Sequence, residues 1–194
     1  MKPVPLSVLA AENRAAEHGF EHSCERGVGE MLAVLAATTP FGGRILELGT
    51  GFGVGLAWIL TGLGSRTDVE VVSVERDAER IAALAKTDLP AHASIVEGDI
   101  GALLPALGQF DLIFADAEVG KWTGLKLTIA ALAPQGFLLV DDMDLSRYGS
   151  EKDRSTVEKV RKVLTTDSRL AAVELDVASG IILATCHTPV HAQT

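Results

Sequence analysis

The sequence predicts an α/β protein built on a doubly wound, mostly parallel sheet. From Arg44 onward, short apolar runs rich in β-branched residues alternate with helical segments. Such alternation is typical of βαβ units, whose parallel strands are covered by helices on both faces. The last two apolar runs are separated only by Ala178, Ser179 and Gly180, which is too short for a crossover. We therefore expect five parallel strands followed by a C-terminal antiparallel hairpin.

The same patterns give the bounds of each element. Strands are predicted over residues 44–48, 70–75, 93–97, 110–115, 136–141, 171–177 and 181–186. Helices are predicted over residues 54–63, 77–86, 100–107, 121–132 and 150–164. Residues 1–40 form an N-terminal helical segment, with one helix over residues 7–18 and a second, amphipathic helix around residues 28–36. At 194 residues the whole chain is expected to be one domain, with an α/β core over residues 44–186 and a tail over residues 187–194.

A glycine-rich loop joins the first strand to the next helix. Gly49, Gly51, Gly53 and Gly55 follow the first strand at every second position, and Glu47 precedes them. Glycines remove the Cβ atoms that keep a ligand off the backbone, and a helix N-terminus offers unpaired amides to a polar ligand. The spacing is G-x-G-x-G, which does not fit the G-x-G-x-x-G of dinucleotide sites. Taken alone, the loop is compatible with a structural turn or with another nucleotide ligand.

Composition favours a small-molecule partner and a cytoplasmic location. The net charge is −9 and the isoelectric point is near 5.0, and Lys and Arg form no run. A nucleic-acid-binding surface is therefore not expected. Cys24 and Cys186 lie near opposite ends of the chain, which fits a reducing compartment better than a disulfide framework. No apolar stretch reaches the length of a transmembrane helix, so no membrane partner is expected.

Acidic residues stand at or next to the ends of all five parallel strands, where ligands bind in open α/β sheets. Each acid has a structural alternative, because Asp often caps a helix or begins a turn. Neighbouring fourth and fifth strands would put Asp116 and Asp141 about 5 Å apart, the usual spacing between strands. Clustered carboxylates repel one another unless a cation joins them, and oxygen ligands suit Mg²⁺, Mn²⁺ or Ca²⁺.

From residue 27 to residue 186, the order of these motifs resembles the class I S-adenosylmethionine-dependent methyltransferases. The resemblance implies a Rossmann-like, seven-stranded sheet of order 3-2-1-4-5-7-6 and S-adenosylmethionine as cofactor. It also implies that residues at the strand ends bind the cofactor. The implied cofactor-binding residues are Glu47, Gly49, Thr50, Gly51, Gly53, Glu75, Arg76, Asp99, Ile100 and Asp116.

The second half of the chain resembles a narrower group, the cation-dependent O-methyltransferases of the catechol and caffeoyl-coenzyme A type. By this resemblance Asp116, Asp141 and Asp142 would bind a divalent cation, and Lys121 and Asp116 are the candidate catalytic residues. Two positions depart from the pattern. The family has Asn where this chain has Asp142, and its catalytic Lys falls at Val119, two residues before Lys121. Lys121 could reach the same space or could be an ordinary lysine at a helix start.

The main prediction is therefore a methyltransferase that moves a methyl group to a hydroxyl of a small molecule with help from a divalent cation. One alternative is a metal-independent methyltransferase acting on O, N or a carboxyl group. A more distant alternative is a nicotinamide-binding oxidoreductase or a cofactor-binding protein without turnover. The acceptor pocket is expected from residues 12–29 and 145–151, with Trp122 and Tyr148 as possible walls, and a homodimer is a further possibility.

Overall fold

A seven-stranded sheet organises residues 3–187, which are the residues described by the computed structural model. Its strands are β1 (Arg44–Leu48), β2 (Glu70–Glu75), β3 (Ala93–Glu97), β4 (Phe110–Ala115), β5 (Leu132–Val140), β6 (Leu170–Leu175) and β7 (Ile181–Cys186). The strand order is β3-β2-β1-β4-β5-β7-β6. Strands β1 to β5 are parallel, and β7 runs antiparallel to both β5 and β6. The predicted fold and strand order are confirmed.

Seven α-helices accompany the sheet in the described part of the chain. They are α1 (Leu6–Glu17), α2 (Arg26–Thr38), α3 (Val54–Leu63), α4 (Ala78–Leu84), α5 (Ile100–Leu107), α6 (Leu125–Ala130) and α7 (Glu151–Thr166). A π-helical turn, Val119–Thr123, precedes α6, and a 3₁₀ turn, Leu145–Arg147, precedes α7. No helix among residues 3–187 is both long enough and apolar enough to cross a membrane.

The helices cover both faces of the sheet because successive strand residues point to opposite sides. In β4, Leu112 and Phe114 join the apolar core that includes the buried faces of α1, α2 and α3. Their neighbours Ile113 and Ala115 join the second core, formed with α5, α6 and α7. This two-sided burial leaves the carboxyl ends of the parallel strands as one edge on which polar side chains gather.

Most predicted bounds agree with the structure to within two residues, and two elements differ by more. The single helix expected over residues 121–132 is a π-helical turn followed by the short α6, because the Gly124 amide donates to the Val119 carbonyl five residues back. Strand β5 begins at Leu132, earlier than predicted, and its pairing with β4 is irregular between Phe110 and Leu112. The predicted tail lies outside the described residues, apart from His187.

Candidate active site

A cavity of about 620 Å³ opens at the carboxyl ends of β1, β2, β4 and β5. The glycine loop, the acids at the strand ends, and two segments outside the sheet line it. These segments, residues 20–25 and residues 147 and 148, fall within the two regions predicted for the acceptor pocket. The volume is within the usual range for a ligand site, roughly 300–1,000 Å³.

The charge of the lining is strongly acidic. Nine carboxyl groups face four permanently cationic side chains among the lining residues, which favours a positively charged ligand. The acids are Glu21, Glu25, Glu47, Glu75, Asp99, Asp116, Glu118, Asp141 and Asp142, and the cations are Arg76, Arg80, Lys121 and Arg147.

The glycine loop adopts a backbone that requires glycine. Gly51 and Gly53 have φ values of 55° and 87°, in the left-handed region that other residues rarely enter. Gly53 is the N-cap of α3, so the loop delivers the positive end of this helix to the cavity. The loop is anchored to β2, because the Gly49 amide donates to the Val74 carbonyl at 3.0 Å.

Glu47 is fully buried beneath this loop, and its carboxyl group is hydrogen-bonded to a chain of two hydroxyl groups. The Ser73 hydroxyl donates to the Glu47 carboxyl, and the Ser73 and Thr50 hydroxyl oxygens lie 2.6 Å apart. Burial raises the pKa of Glu47 to about 8; the Ser73 hydroxyl opposes this shift, and the carboxylates of Asp116 and Glu75 add to it. The predicted cofactor residues Glu47 and Thr50 thus form one network under the glycines.

Glu75 braces the other side of the loop. Its carboxylate accepts hydrogen bonds from the Gly51 amide at 2.9 Å and from the amides of Arg76 and Asp77, both at 2.9 Å. The Arg80 guanidinium also lies 3.6 Å from Oε2. A carboxylate has about four acceptor positions, so about one remains beside this ion pair for a ligand hydroxyl. The contact between Glu75 and a ribose stays a prediction. In the structure, Glu75 also stabilises the glycine loop, because it accepts a hydrogen bond from the Gly51 amide.

Three further predicted cofactor residues follow strands β2 and β3 and line the same cavity. Asp99 caps α5 by accepting from the Ala102 amide at 3.0 Å, and Ile100 begins that helix. Arg76 is exposed at the cavity edge. Asp99, Ile100 and Arg76 all line the cavity together with the glycine loop, and their role in cofactor binding stays a prediction.

Lys121 lies between two of the acids predicted as metal ligands. Its ammonium nitrogen Nζ is 3.3 Å from Asp116 Oδ1 and also donates to Asp142 Oδ2. The Lys121 side chain is only 4% exposed, so it is not an ordinary surface lysine at a helix start. Of the two interpretations of Lys121, the one in which it reaches into the site agrees with these contacts.

Asp141 is held apart from this cluster. Its Oδ1 atom accepts from the Ser179 hydroxyl and, at 2.7 Å, from the Asp142 amide. Asp142 itself has a left-handed backbone, with φ of 61°. In residues 3–187, no group of three or more His, Cys, Asp or Glu side chains converges as a metal site. The donor set therefore does not fit a metal centre in this arrangement, and the cation stays a prediction.

The charge balance of the cluster explains its protonation. Two carboxyl groups, Asp116 and Asp142, contact one ammonium group, and Asp141 acts on it from further away, so complete ionisation would leave an excess of negative charge. Burial opposes the charged form of Lys121, but attraction by Asp116 and Asp142 outweighs it and raises the Lys121 pKa. Burial raises the pKa of Asp116 to about 8, against the attraction of Lys121 and with the help of Asp141 and Asp142. The cluster therefore favours the charged form of Lys121 and raises the proton affinity of the Asp116 carboxyl.

Aromatic side chains form the wall beside this cluster. Trp122 and Tyr148 lie with ring centroids 6.0 Å apart, and the Tyr148 hydroxyl donates to the Asp142 carbonyl at 2.9 Å. Arg147 pairs with Glu25 and so ties the N-terminal segment to the loop before α7. Both segments expected to build an acceptor pocket therefore meet at the cavity.

A model of the family described as "Methyltransferase domain" matches residues 46–143, which run from β1 through the glycine loop to the acids after β5. The chain belongs to this methyltransferase family. The nicotinamide-dependent oxidoreductase is therefore set aside as an alternative.

Curated relatives of the methyltransferase cover nearly its whole length. A protein of Mycobacterium sp. (strain KMS) named "Putative O-methyltransferase" is 28% identical over 188 residues, covering 91% of this chain and 84% of its own length. A Mycolicibacterium smegmatis protein of nearly the same name is also 28% identical and covers 91% of this chain and 89% of its own length. These relatives confirm the predicted resemblance to O-methyltransferases.

Solved structures share the fold of the methyltransferase. The O-methyltransferase TomG from Streptomyces achromogenes, determined with SAM, has a TM-score of 0.79 at 18% identity, covering 95% of this chain and 91% of its own. An O-methyltransferase from Bacillus cereus, determined with SAH, has a TM-score of 0.79 at 20% identity, covering 96% and 93%. At these identities the likeness concerns the fold.

Sequence patterns alone missed several residues of the site. Phe20 lies over the glycine loop, where a Cβ on Gly51 would be 3.2 Å from its ring, and the Arg80 guanidinium stacks on that ring at 4.7 Å. Ser73 and Ser179 hold the carboxyl groups of Glu47 and Asp141. No motif marks these residues, because their partners lie far away along the chain.

Proposed function

We propose that this methyltransferase transfers the methyl group of S-adenosylmethionine to a hydroxyl group of a small molecule. The observation that carries the proposal is one acidic cavity that joins the glycine loop to the Asp116–Lys121–Asp142 cluster. The names of the curated relatives and the cofactors of the structural neighbours support the same conclusion. Small-molecule size is supported by the cavity volume of about 620 Å³ and by the net charge of −9, which disfavours nucleic acid.

The lining suits this cofactor. S-adenosylmethionine carries an electrophilic methyl group on a positively charged sulfonium, and an excess of carboxylates favours such a cation. Glu47, Thr50 and the loop glycines would hold its amino-acid part, Glu75 and Arg76 its ribose, and Asp99 and Ile100 its adenine. Glu75 presents about one free acceptor position to that ribose, because backbone amides take the others.

The acceptor would lie beside Lys121, against Trp122 and Tyr148. Asp116, in its ionised form, would take the proton of the acceptor hydroxyl, whose oxygen then forms a bond to the methyl carbon as the carbon–sulfur bond breaks. Lys121 stabilises the developing negative charge on that oxygen from its buried position. These roles keep Lys121 and Asp116 as the proposed catalytic residues.

A divalent cation is not part of this proposal, because Lys121 lies between two of the acids that would bind it. The cytoplasmic location and the homodimer stay predictions from the sequence.

Calorimetric titration with S-adenosylhomocysteine tests the cofactor assignment. We expect saturable binding to the purified protein, weakened about tenfold or more by Glu75→Gln, because that change disturbs the loop and one ligand contact. Glu79→Gln, on the exposed side of α4, is the matched control and should bind like wild type. Absence of binding to the folded wild-type protein would refute the proposed function.

The acceptor class is tested by a methyl-transfer assay with a panel of phenols, catechols and amines. Transfer to hydroxyl compounds, and its loss in Asp116→Asn with cofactor binding retained, is the expected result. Transfer only to amines or carboxylates would contradict the assignment of an oxygen acceptor.

A further inference from the structure

We infer that the Lys121 ammonium group takes the position of a divalent cation between the acids after β4 and β5, so that this methyltransferase positions its acceptor without a metal. The inference rests on the proposed function, since it concerns the acceptor side of that site. The sequence resemblance implied that a bound divalent cation positions the acceptor. The inference assigns this role to the Lys121 side chain instead.

The contacts of the ammonium group fit this task. An ammonium group has three N–H donors. Within residues 3–187, Nζ of Lys121 makes two hydrogen bonds, one to Asp116 at 3.3 Å and one to Asp142. One N–H therefore remains for an acceptor oxygen. Because Lys121 lines the cavity, that donor can serve a molecule bound there.

The π-helical turn fixes Lys121 in this position. The Gly124 amide closes the turn on the Val119 carbonyl at 2.7 Å, and the buried Thr128 hydroxyl donates to the Gly120 carbonyl at 2.6 Å. The turn is pressed against β1, since a Cβ on Gly120 would lie 2.8 Å from Leu48 Cδ1. The turn thus holds the Lys121 backbone, and because the side chain is only 4% exposed, moving it for an incoming ion would disturb packed atoms.

The three acids already bind other protein groups. Asp142 and Asp116 share the ammonium group, and Asp141 is bound to Ser179 in the turn between β6 and β7. This turn is itself fixed to the end of β5, because the Met143 amide donates to the Gly180 carbonyl at 2.9 Å. A divalent cation would have to displace Lys121 from between Asp116 and Asp142 before those two carboxylates could bind it together.

Mn²⁺ titration, followed by calorimetry, tests the inference directly and needs no substrate. We expect no saturable binding to wild type up to about 1 mM, which corresponds to a binding free energy of about 4 kcal/mol. Lys121→Ala should gain Mn²⁺ binding that Asp142→Asn removes again in the double variant. Lys126→Ala, an exposed lysine five residues further on, is the matched control and should not gain binding.

Methyl transfer gives the second readout. Wild-type turnover should be unchanged by EDTA, whereas Lys121→Met should lose about 100-fold, the usual loss when a donor to a developing oxyanion is removed. Folding of each variant is checked by circular dichroism. Saturable Mn²⁺ binding to wild type that depends on Asp142, or wild-type activity abolished by EDTA and restored by Mg²⁺, would overturn the inference.

Titration of S-adenosylhomocysteine into the same samples separates this inference from the proposed function. Cofactor binding combined with tight Mn²⁺ binding by wild type would refute the inference and leave the proposed function intact. Failure to bind the cofactor would refute the proposed function, and the Mn²⁺ titration would still decide whether Lys121 excludes a metal.

Discussion

Replacement of the buried Glu47 by Gln should change how the stability of this protein depends on pH. The folded state raises the pKa of Glu47 from an ordinary value of 4.5 to about 8, mainly through burial. An acid with a raised pKa in the folded state makes folding less favourable as the pH rises from the unfolded value to the folded one. The contribution of Glu47 to the free energy of unfolding is therefore fully present below pH 4.5 and is lost between pH 4.5 and pH 8. Above pH 8 this contribution no longer changes with pH.

The magnitude follows from proton linkage. Each unit of pKa difference corresponds to about 1.4 kcal/mol, so the full loss across this range is on the order of 5 kcal/mol. Between pH 6 and pH 8 the wild-type protein should lose about 2 kcal/mol of unfolding free energy through this residue. Gln keeps the shape of the side chain and does not titrate, so Glu47→Gln should lose less over the same interval.

Urea denaturation of wild type and Glu47→Gln at pH 6 and pH 8 measures the effect. The quantity to compare is the difference in unfolding free energy between the two proteins at pH 6 and the same difference at pH 8. A uniform cost of the substitution cancels in this comparison, so only the titration is observed. Glu158→Gln, at an exposed position of α7, should show the wild-type dependence on pH. The reasoning would be refuted if wild type and Glu47→Gln lost the same stability between pH 6 and pH 8.

Two further predictions concern packing. Gly62→Ala should destabilise the protein by about 1–3 kcal/mol or more, because the new Cβ would lie 2.1 Å from a carbonyl oxygen of α2. The control is Gly149→Ala, which has open space around the new Cβ and should leave the melting temperature unchanged. Thr128→Val should cost about 1–3 kcal/mol in urea denaturation because it leaves the buried Gly120 carbonyl without its donor, whereas Thr165→Val, on an exposed helix turn, should cost much less. Equal costs in either pair would contradict these predictions.

The strand ends could be predicted because their chemistry is local. Strand periodicity, the glycine spacing and the short hairpin connection are each contained in a few consecutive residues, and the sheet order agrees with them. Once parallel strands are predicted, their carboxyl ends must share one edge of the sheet. Glu75, Asp99 and Asp116 could therefore be assigned to one cavity from the sequence, and the structure places them there.

The direction of Lys121 could not be predicted in the same way. A regular helix was expected over residues 121–132, but the bond between Gly124 and Val119 produces a π-helical turn instead. That turn depends on Thr128 and on contact with β1, which lies far away in sequence. The position of the Lys121 ammonium group among the acids thus depends on tertiary packing, and the spacing of residues along the sequence does not predict it.

The sequence by itself determined the fold, the glycine loop and the set of acids around the cavity, since hydrophobic periodicity and turn chemistry act over short distances. Only the tertiary structure decided how those acids are paired. Lys121 and Ser179 reach Asp142 and Asp141 from different parts of the chain, and each donates to one carboxyl oxygen of its acid. Whether carboxylates bind a metal or an ammonium group depends on which partner the fold brings within hydrogen-bond distance.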